Sequence, residues 1–169
     1  LRNLLPRLAS GYDLVLIDTQ GARSVLLEMA VLASDRALSP VLLEMLAARE
    51  VLGGTLRLLT DLQPLKQMGL HTPPLALVLN RTDISNDARL ITAGLRRASL
   101  LLLNTSIPGL VAYRQAATLG LPAHRFEPRQ PHGRKAPSCL ASLQALAIEL
   151  FPHWHRQLAN LAGDAGGRP

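Results

Sequence analysis

The chain has 169 residues, 48% of them hydrophobic but only 3% aromatic, so it is long enough for one domain with an aliphatic core. Its net charge of +6 comes almost entirely from arginine, since Lys66 and Lys135 are the only lysines. The single cysteine, Cys139, excludes an intrachain disulfide. The leucine run 100–103 is far too short to span a bilayer.

Apolar segments alternate with amphipathic segments along the chain, which is typical of βαβ units and a parallel sheet. The apolar runs are continuous, as in strands that are covered on both faces. The predicted strands are 14–17, 37–41, 75–80 and 100–103. The predicted helices are 24–33 with Ser24 as its N-cap, 43–62 ended by Pro64, 85–98 capped near Ser85, 111–119, and 138–151 ended or kinked by Pro152.

Asp18 directly follows the first predicted strand and precedes small and polar residues. Ligands of open α/β sheets sit outside the carboxyl ends of the strands. A carboxylate at that position is suited to hold Mg²⁺, directly or through a water, beside a nucleotide phosphate. The alternative is a buried strand that ends in a polar cap.

Positive charge is concentrated between residues 96 and 135, where Glu127 is the only acid. Because the planar guanidinium suits phosphate, a nucleic-acid backbone is a plausible partner; the alternative is an ordinary solvated surface. The basic residues of this stretch are Arg96, Arg97, Arg114, Arg125, Arg129, Arg134 and Lys135.

Five blocks, in order and spacing, resemble the C-terminal two-thirds of a ParA-type ATPase, the deviant-Walker family that segregates plasmids and integrative elements. The match covers residues 12–151. The blocks are 17–22 (IDTQGA), 39–44 (SPVLLE), 78–81 (VLNR), 107–108 (IP) followed by Ala116, Gly120 and Pro122, and 146–150 (LAIEL).

The resemblance implies an α/β fold over residues 1–152: a three-layer parallel sheet with helices on both faces, like that of P-loop NTPases. This domain would lack its N-terminal part. Residues 153–169 would be a C-terminal extension, partly disordered. In the family's scheme Asp18 organises Mg²⁺ and the attacking water. Asn80 contacts the adenine with Arg81 beside it, and Ile107 and Pro108 line the other side of the base.

The resemblance also implies an ATP-dependent homodimer that binds DNA without sequence preference in the cytoplasm, at the nucleoid, with a ParB-like centromere-binding partner and no membrane. The basic residues would face the DNA. Three positions depart from the family's pattern, because Gly109 and Ala112 replace basic residues and Gln115 replaces a glutamate. Arg114 lies nearby and could supply the lost charge.

A Walker A loop is missing, since no glycine in the chain is followed by lysine. That loop cradles the phosphates and its lysine neutralises them. We therefore expect these residues alone not to hydrolyse ATP. Either the sequence is a truncated form of an ATPase or it is a nucleotide-independent relative that binds DNA or a protein. A MinD-like membrane-surface ATPase is a further alternative. Such proteins end in a short basic amphipathic helix, and residues 151–161 match that pattern poorly.

Overall fold

In a computed structural model, three parallel strands form one sheet in the order β1-β2-β3. The structure describes residues 1–20, 24–83, 85–98, 100–126 and 139–164. The strands are β1 (Ala37–Leu42), β2 (Leu75–Thr82) and β3 (Leu101–Pro108). The helices are α1 (Leu5–Leu8), α2 (Val25–Ala33), α3 (Met45–Gln67), α4 (Asn86–Arg97), α5 (Val111–Thr118), α6 (Cys139–Leu150) and α7 (His155–Asp164), with 3₁₀ turns at Ala123–Arg125 and Pro152–Trp154.

The core lies between the sheet and the two crossover helices, α3 and α4. Leu77 and Leu79 of β2 pack there against Ala48 of α3 and Leu95 of α4. Each helix connects one strand to the next in the same direction across the sheet. Because crossovers between parallel strands are right-handed, both helices lie on the same face. Val78, which points to the opposite face, is also buried, and α6 packs along β3. The predicted α/β class with a parallel sheet is therefore confirmed.

The predicted N-caps are present. The hydroxyl of Ser24 accepts a hydrogen bond from the N–H of Leu27, and the hydroxyl of Ser85 accepts one from the N–H of Ala88. Each cap satisfies one of the backbone donors left free in the first turn of a helix.

The prediction that Pro64 ends the long helix was wrong, because α3 continues to Gln67. Proline removes one backbone hydrogen bond from a helix, so the turn around it needs other support. Leu62 is buried and Leu65 packs in the same cluster with α2, which gives apolar contact on both sides of the proline.

The prediction of a strand at 14–17 was also wrong. The segment has no assigned helix or strand, and Leu14, Val15 and Leu16 are 41%, 44% and 82% exposed. A continuous apolar run forms a strand when a neighbouring strand satisfies its backbone and other side chains cover its faces. Within the described residues the sheet contains β1, β2 and β3 alone, so this segment has no strand to pair with.

One strand of the C-terminal half differs from the prediction. Strand β3 continues to Pro108 although the apolar run ends at residue 103, because its polar continuation still pairs with β2. The partly disordered extension over 153–169 stays a prediction; within it, α7 occupies His155–Asp164 and contacts α6. Pro152 does end α6, as predicted. Residues 127–137 and the last five residues lie outside the described part of the chain.

Candidate functional site

The carboxyl ends of the three strands meet at one edge of the sheet, where parallel α/β folds bind ligands. Asn80 of β2 pairs with the last residue of β1 on one side and with Ile107 of β3 on the other. Farther along, Thr82 pairs with Pro108. Asn80, Ile107 and Pro108 are half-buried, so each presents part of its surface to solvent. The structure thus brings these three predicted nucleotide-binding residues together, with Arg81 between the two pairs.

Arg81 is an extra residue in β2, since the pairs before and after it leave it without a partner on β3. Its φ is +53°, and it is the only non-glycine residue with positive φ in the described chain. A bulge of this kind normally has glycine at the left-handed position. Bulges and left-handed non-glycine residues concentrate at functional sites, where they redirect a side chain at a cost in stability.

Two hydrogen bonds fix the backbone around this bulge. The side-chain oxygen of Asn80 accepts a hydrogen bond from the N–H of Arg81 at 3.0 Å, and the N–H of Gly109 donates to the carbonyl of Thr82 at 3.0 Å. The first bond leaves the Asn80 amide with its NH₂ group for a ligand. That group is a donor suited to an acceptor such as a purine ring nitrogen.

A second irregularity lies earlier in β3, and Glu149 of α6 caps it. One carboxylate oxygen of Glu149 accepts from the N–H of Asn104 at 2.8 Å, and the other accepts from the N–H of Thr105 at 2.7 Å. The side-chain amide of Asn104 adds a third bond at 3.3 Å. Burial alone would raise the pKa of Glu149, but the hydrogen bonds from Thr105 and Asn104 outweigh it, and the pKa lies below its ordinary value.

Sequence reasoning did not identify Glu149 as a functional residue, although it lies in a block that carries the family resemblance. The signal was available, because Glu149 is the only charged residue of α6. A lone carboxylate on an otherwise neutral packed helix needs donors, which here come from a backbone that the sequence does not reveal.

Asp18 is exposed and follows an unpaired segment rather than a strand. Mg²⁺ binds oxygen ligands in near-octahedral geometry, usually with one or two carboxylates besides water and phosphate. Within the described ranges no group of three His, Cys, Asp or Glu side chains is arranged to hold a metal. Asp18 therefore stays a predicted Mg²⁺ ligand.

The described arginines of the basic stretch fall into two groups. Arg96 and Arg97 are exposed in the last turn of α4, a helix that contacts α3 and β3. Arg114 and Arg125 are exposed on α5 and on the 3₁₀ turn that contacts it. The remaining members of the stretch, Arg129, Arg134 and Lys135, lie outside the described residues.

Cys139 is fully buried at the start of α6. Burial raises its pKa, which disfavours the reactive thiolate. The neighbouring Tyr113 hydroxyl lies 2.8 Å from the hydroxyl of Ser142, so these residues join α5 to α6. The cluster therefore supports the packing beside β3 rather than a nucleophilic site.

Comparison of the chain with protein-family models and with curated protein sequences finds no match. No helix among the described residues combines the length and the apolar character that crossing a membrane requires.

Proposed function

We propose that this chain is part of a ParA-like α/β protein that binds an adenine nucleotide at the carboxyl edge of β2 and β3 and binds DNA without sequence preference. In the intact protein this would be an ATP-dependent dimer that partitions DNA with a ParB-like partner. The fold would be that of a P-loop NTPase with helices on both faces of the sheet.

The observation that carries the proposal is the pairing of Asn80 with Ile107 at the carboxyl edge. These residues come from separate sequence blocks of the resemblance, and each block by itself implies a contact with the adenine. The NH₂ group of Asn80 can donate to a ring nitrogen of the base, while Ile107 and Pro108 offer apolar surface to its face. A few polar groups beside apolar surface are typical of small-molecule sites.

The first experiment measures ATP binding by saturation-transfer NMR in the wild type, in Asn80→Ala and in Asn160→Ala. Asn160 is an exposed asparagine of α7 and serves as the matched control. We expect weak binding in the wild type and in the control, a clear loss in Asn80→Ala, and no phosphate release in any of them. Equal saturation transfer in all three proteins would contradict an adenine site at Asn80.

The DNA proposal rests on charge, since Arg114 and Arg125 are exposed on contacting elements. Each phosphate contact releases counterions, so affinity should fall steeply with salt and should not depend on sequence. The double variant Arg114→Ala/Arg125→Ala should weaken binding to all duplexes and flatten the salt slope by about one unit per lost contact.

Fluorescence anisotropy with two unrelated duplexes over a salt series measures both quantities. The double variant Arg49→Ala/Arg57→Ala is the control, because it removes the same charge from exposed positions of α3. Equal losses in the two double variants would mean that net charge alone governs binding and that the α5 surface has no special role.

Two alternatives make different predictions. A nucleotide-independent interaction protein would bind DNA or a protein but show no saturation transfer from ATP. A MinD-like membrane protein would need a free amphipathic helix near its C-terminus, whereas α7 packs against α6. That packing lends the membrane alternative no support.

A further inference from the structure

Strand β3 does not keep one register along β2. Leu77 pairs with Leu102, and Leu79 pairs with Ser106, so β2 advances by two residues while β3 advances by four. The two additional residues keep the inward and outward alternation of β3, because the side-chain period of a strand is also two. The change in register therefore leaves the core side chains on their face and alters only how far β3 reaches.

The change in register determines which residue of β3 pairs with Asn80. If the first register continued without the additional residues, Thr105 would lie opposite Asn80. In the structure Ile107 lies there instead. The two additional residues form a bulge in β3. This β3 bulge draws the end of the strand back by about 7 Å, which is two residues at the rise of a strand. Without it, the Ile107–Pro108 turn would extend past the asparagine.

Glu149 accepts the backbone donors that the bulge releases. The N–H groups of Asn104 and Thr105 each donate to a different oxygen of this carboxylate, at 2.8 and 2.7 Å. Hydrogen bonds to an ionised acceptor are among the strongest in proteins, and a backbone donor left without a partner is costly. The carboxylate therefore stabilises the bulged register against the regular one.

We propose that Glu149 is a positioning residue, whose carboxylate holds the β3 bulge and so sets the register that brings Ile107 opposite Asn80. The proposal deepens the proposed nucleotide site and rests on it for its ligand readout alone. If the hydrogen bonds of Glu149 only held α6 against β3, removing its carboxylate would lower the free energy of unfolding and leave the register of β3 unchanged.

The test compares the wild type with Glu149→Ala, Glu149→Gln and the control Glu50→Gln, which removes an exposed carboxylate from α3. Interstrand nuclear Overhauser effects in isotope-labelled protein report whether Asn80 lies beside Ile107 or beside Thr105. An ADP titration of each protein reports the ligand affinity.

We expect the Asn80–Ile107 cross-peaks in the wild type and in Glu50→Gln. Glu149→Ala should lose them, gain Asn80–Thr105 cross-peaks and bind ADP on the order of tenfold more weakly, because the base would lose the apolar surface of Ile107. Should the alanine variant not fold, Glu149→Gln decides by the same cross-peaks, because its amide group opposes the N–H of Thr105 with another donor.

Retention of the Asn80–Ile107 cross-peaks in a folded Glu149 variant would overturn the proposal. A wild type that binds no ADP would refute the proposed function instead, while the cross-peaks would still decide the role of Glu149. The two failures are therefore distinguishable.

Discussion

Arg81 combines an exposed, charged side chain with a backbone conformation that glycine adopts more easily. The left-handed conformation costs an L-residue about 1–2 kcal/mol. Glycine avoids this cost, but its unfolded chain has more conformational freedom to lose, which reduces the gain in stability by about 0.5–1 kcal/mol. We expect Arg81→Gly to raise the free energy of unfolding by up to about 1 kcal/mol, measured by urea denaturation.

The control is Arg81→Ala, which removes the guanidinium but keeps the strained φ. A gain of equal size in both variants would mean that the guanidinium, not the backbone, limits stability. If both variants also bind ATP more weakly than the wild type, the arginine is present for the ligand rather than for the fold.

Glu149 makes the stability depend on pH. Its pKa in the folded protein lies below its ordinary value of 4.5, because hydrogen bonds from Thr105 and Asn104 outweigh the effect of burial. A lowered pKa means that the carboxylate stabilises the fold fully above about pH 4.5 and that this contribution is lost as the pH falls through the folded-state pKa.

Urea unfolding at about pH 7 and about pH 3.5 checks this linkage. The wild type should be more stable than Glu149→Gln at neutral pH, and the difference should shrink in acid. A difference that is independent of pH would show that the ionised carboxylate is not the stabilising form.

At the scale of elements, the N-cap of α4 adjoins the candidate site. The hydroxyl of Ser85 accepts from the N–H of Ala88 and donates to the carboxylate of Asp83 at 2.8 Å. Ser85→Ala should lower the free energy of unfolding by about 1 kcal/mol. In the same denaturation assay the exposed Ser10→Ala should have no measurable effect, and equal effects in both variants would contradict the capping role.

Elements with local signals were predictable from the sequence. Ser24 and Ser85 precede amphipathic runs and do cap helices, and the apolar cores of β1 and β2 were recognised. The segment 14–17 carries an equally strong apolar signal, yet a strand also needs a neighbour, which no local pattern supplies. The prediction missed the polar end of β3 for the opposite reason. That end has no local strand signal, and its pairing with β2 comes from the tertiary fold.

The candidate site shows the same division. Asn80, Ile107 and Pro108 were predicted from sequence blocks, and the register of β2 with β3 brings them together. The left-handed bulge at Arg81 was not predictable, since arginine carries no sequence preference for that conformation. The role of Glu149 could not be predicted from the sequence, because its hydrogen-bond partners lie more than forty residues away along the chain.

At the scale of the whole molecule, apolar exposure is uneven. Nearly half of the exposed large hydrophobic side chains in the described residues fall within 1–29, including Leu16 at 82% and Leu26 at 75%. Surfaces of this kind promote association. We expect the chain to self-associate as its concentration rises, measured by sedimentation velocity, and Leu16→Glu/Leu26→Glu to reduce the association.

The matched control is Leu70→Glu/Leu90→Glu, which adds the same charge at exposed leucines elsewhere. It should leave the association nearly unchanged. A wild type that sediments as a monomer at all concentrations would contradict the prediction.

We propose that the carboxyl edge of β2 and β3 binds the adenine base, and an amide chemical-shift titration of the wild type measures this binding residue by residue. Adenosine and ADP should both shift the resonances of Asn80 and Ile107, because the base would make the contacts. Inorganic tripolyphosphate should leave these resonances unchanged. Shifts at Asn80 and Ile107 with tripolyphosphate but not with adenosine, or no shifts there with any of the three, would contradict the claim.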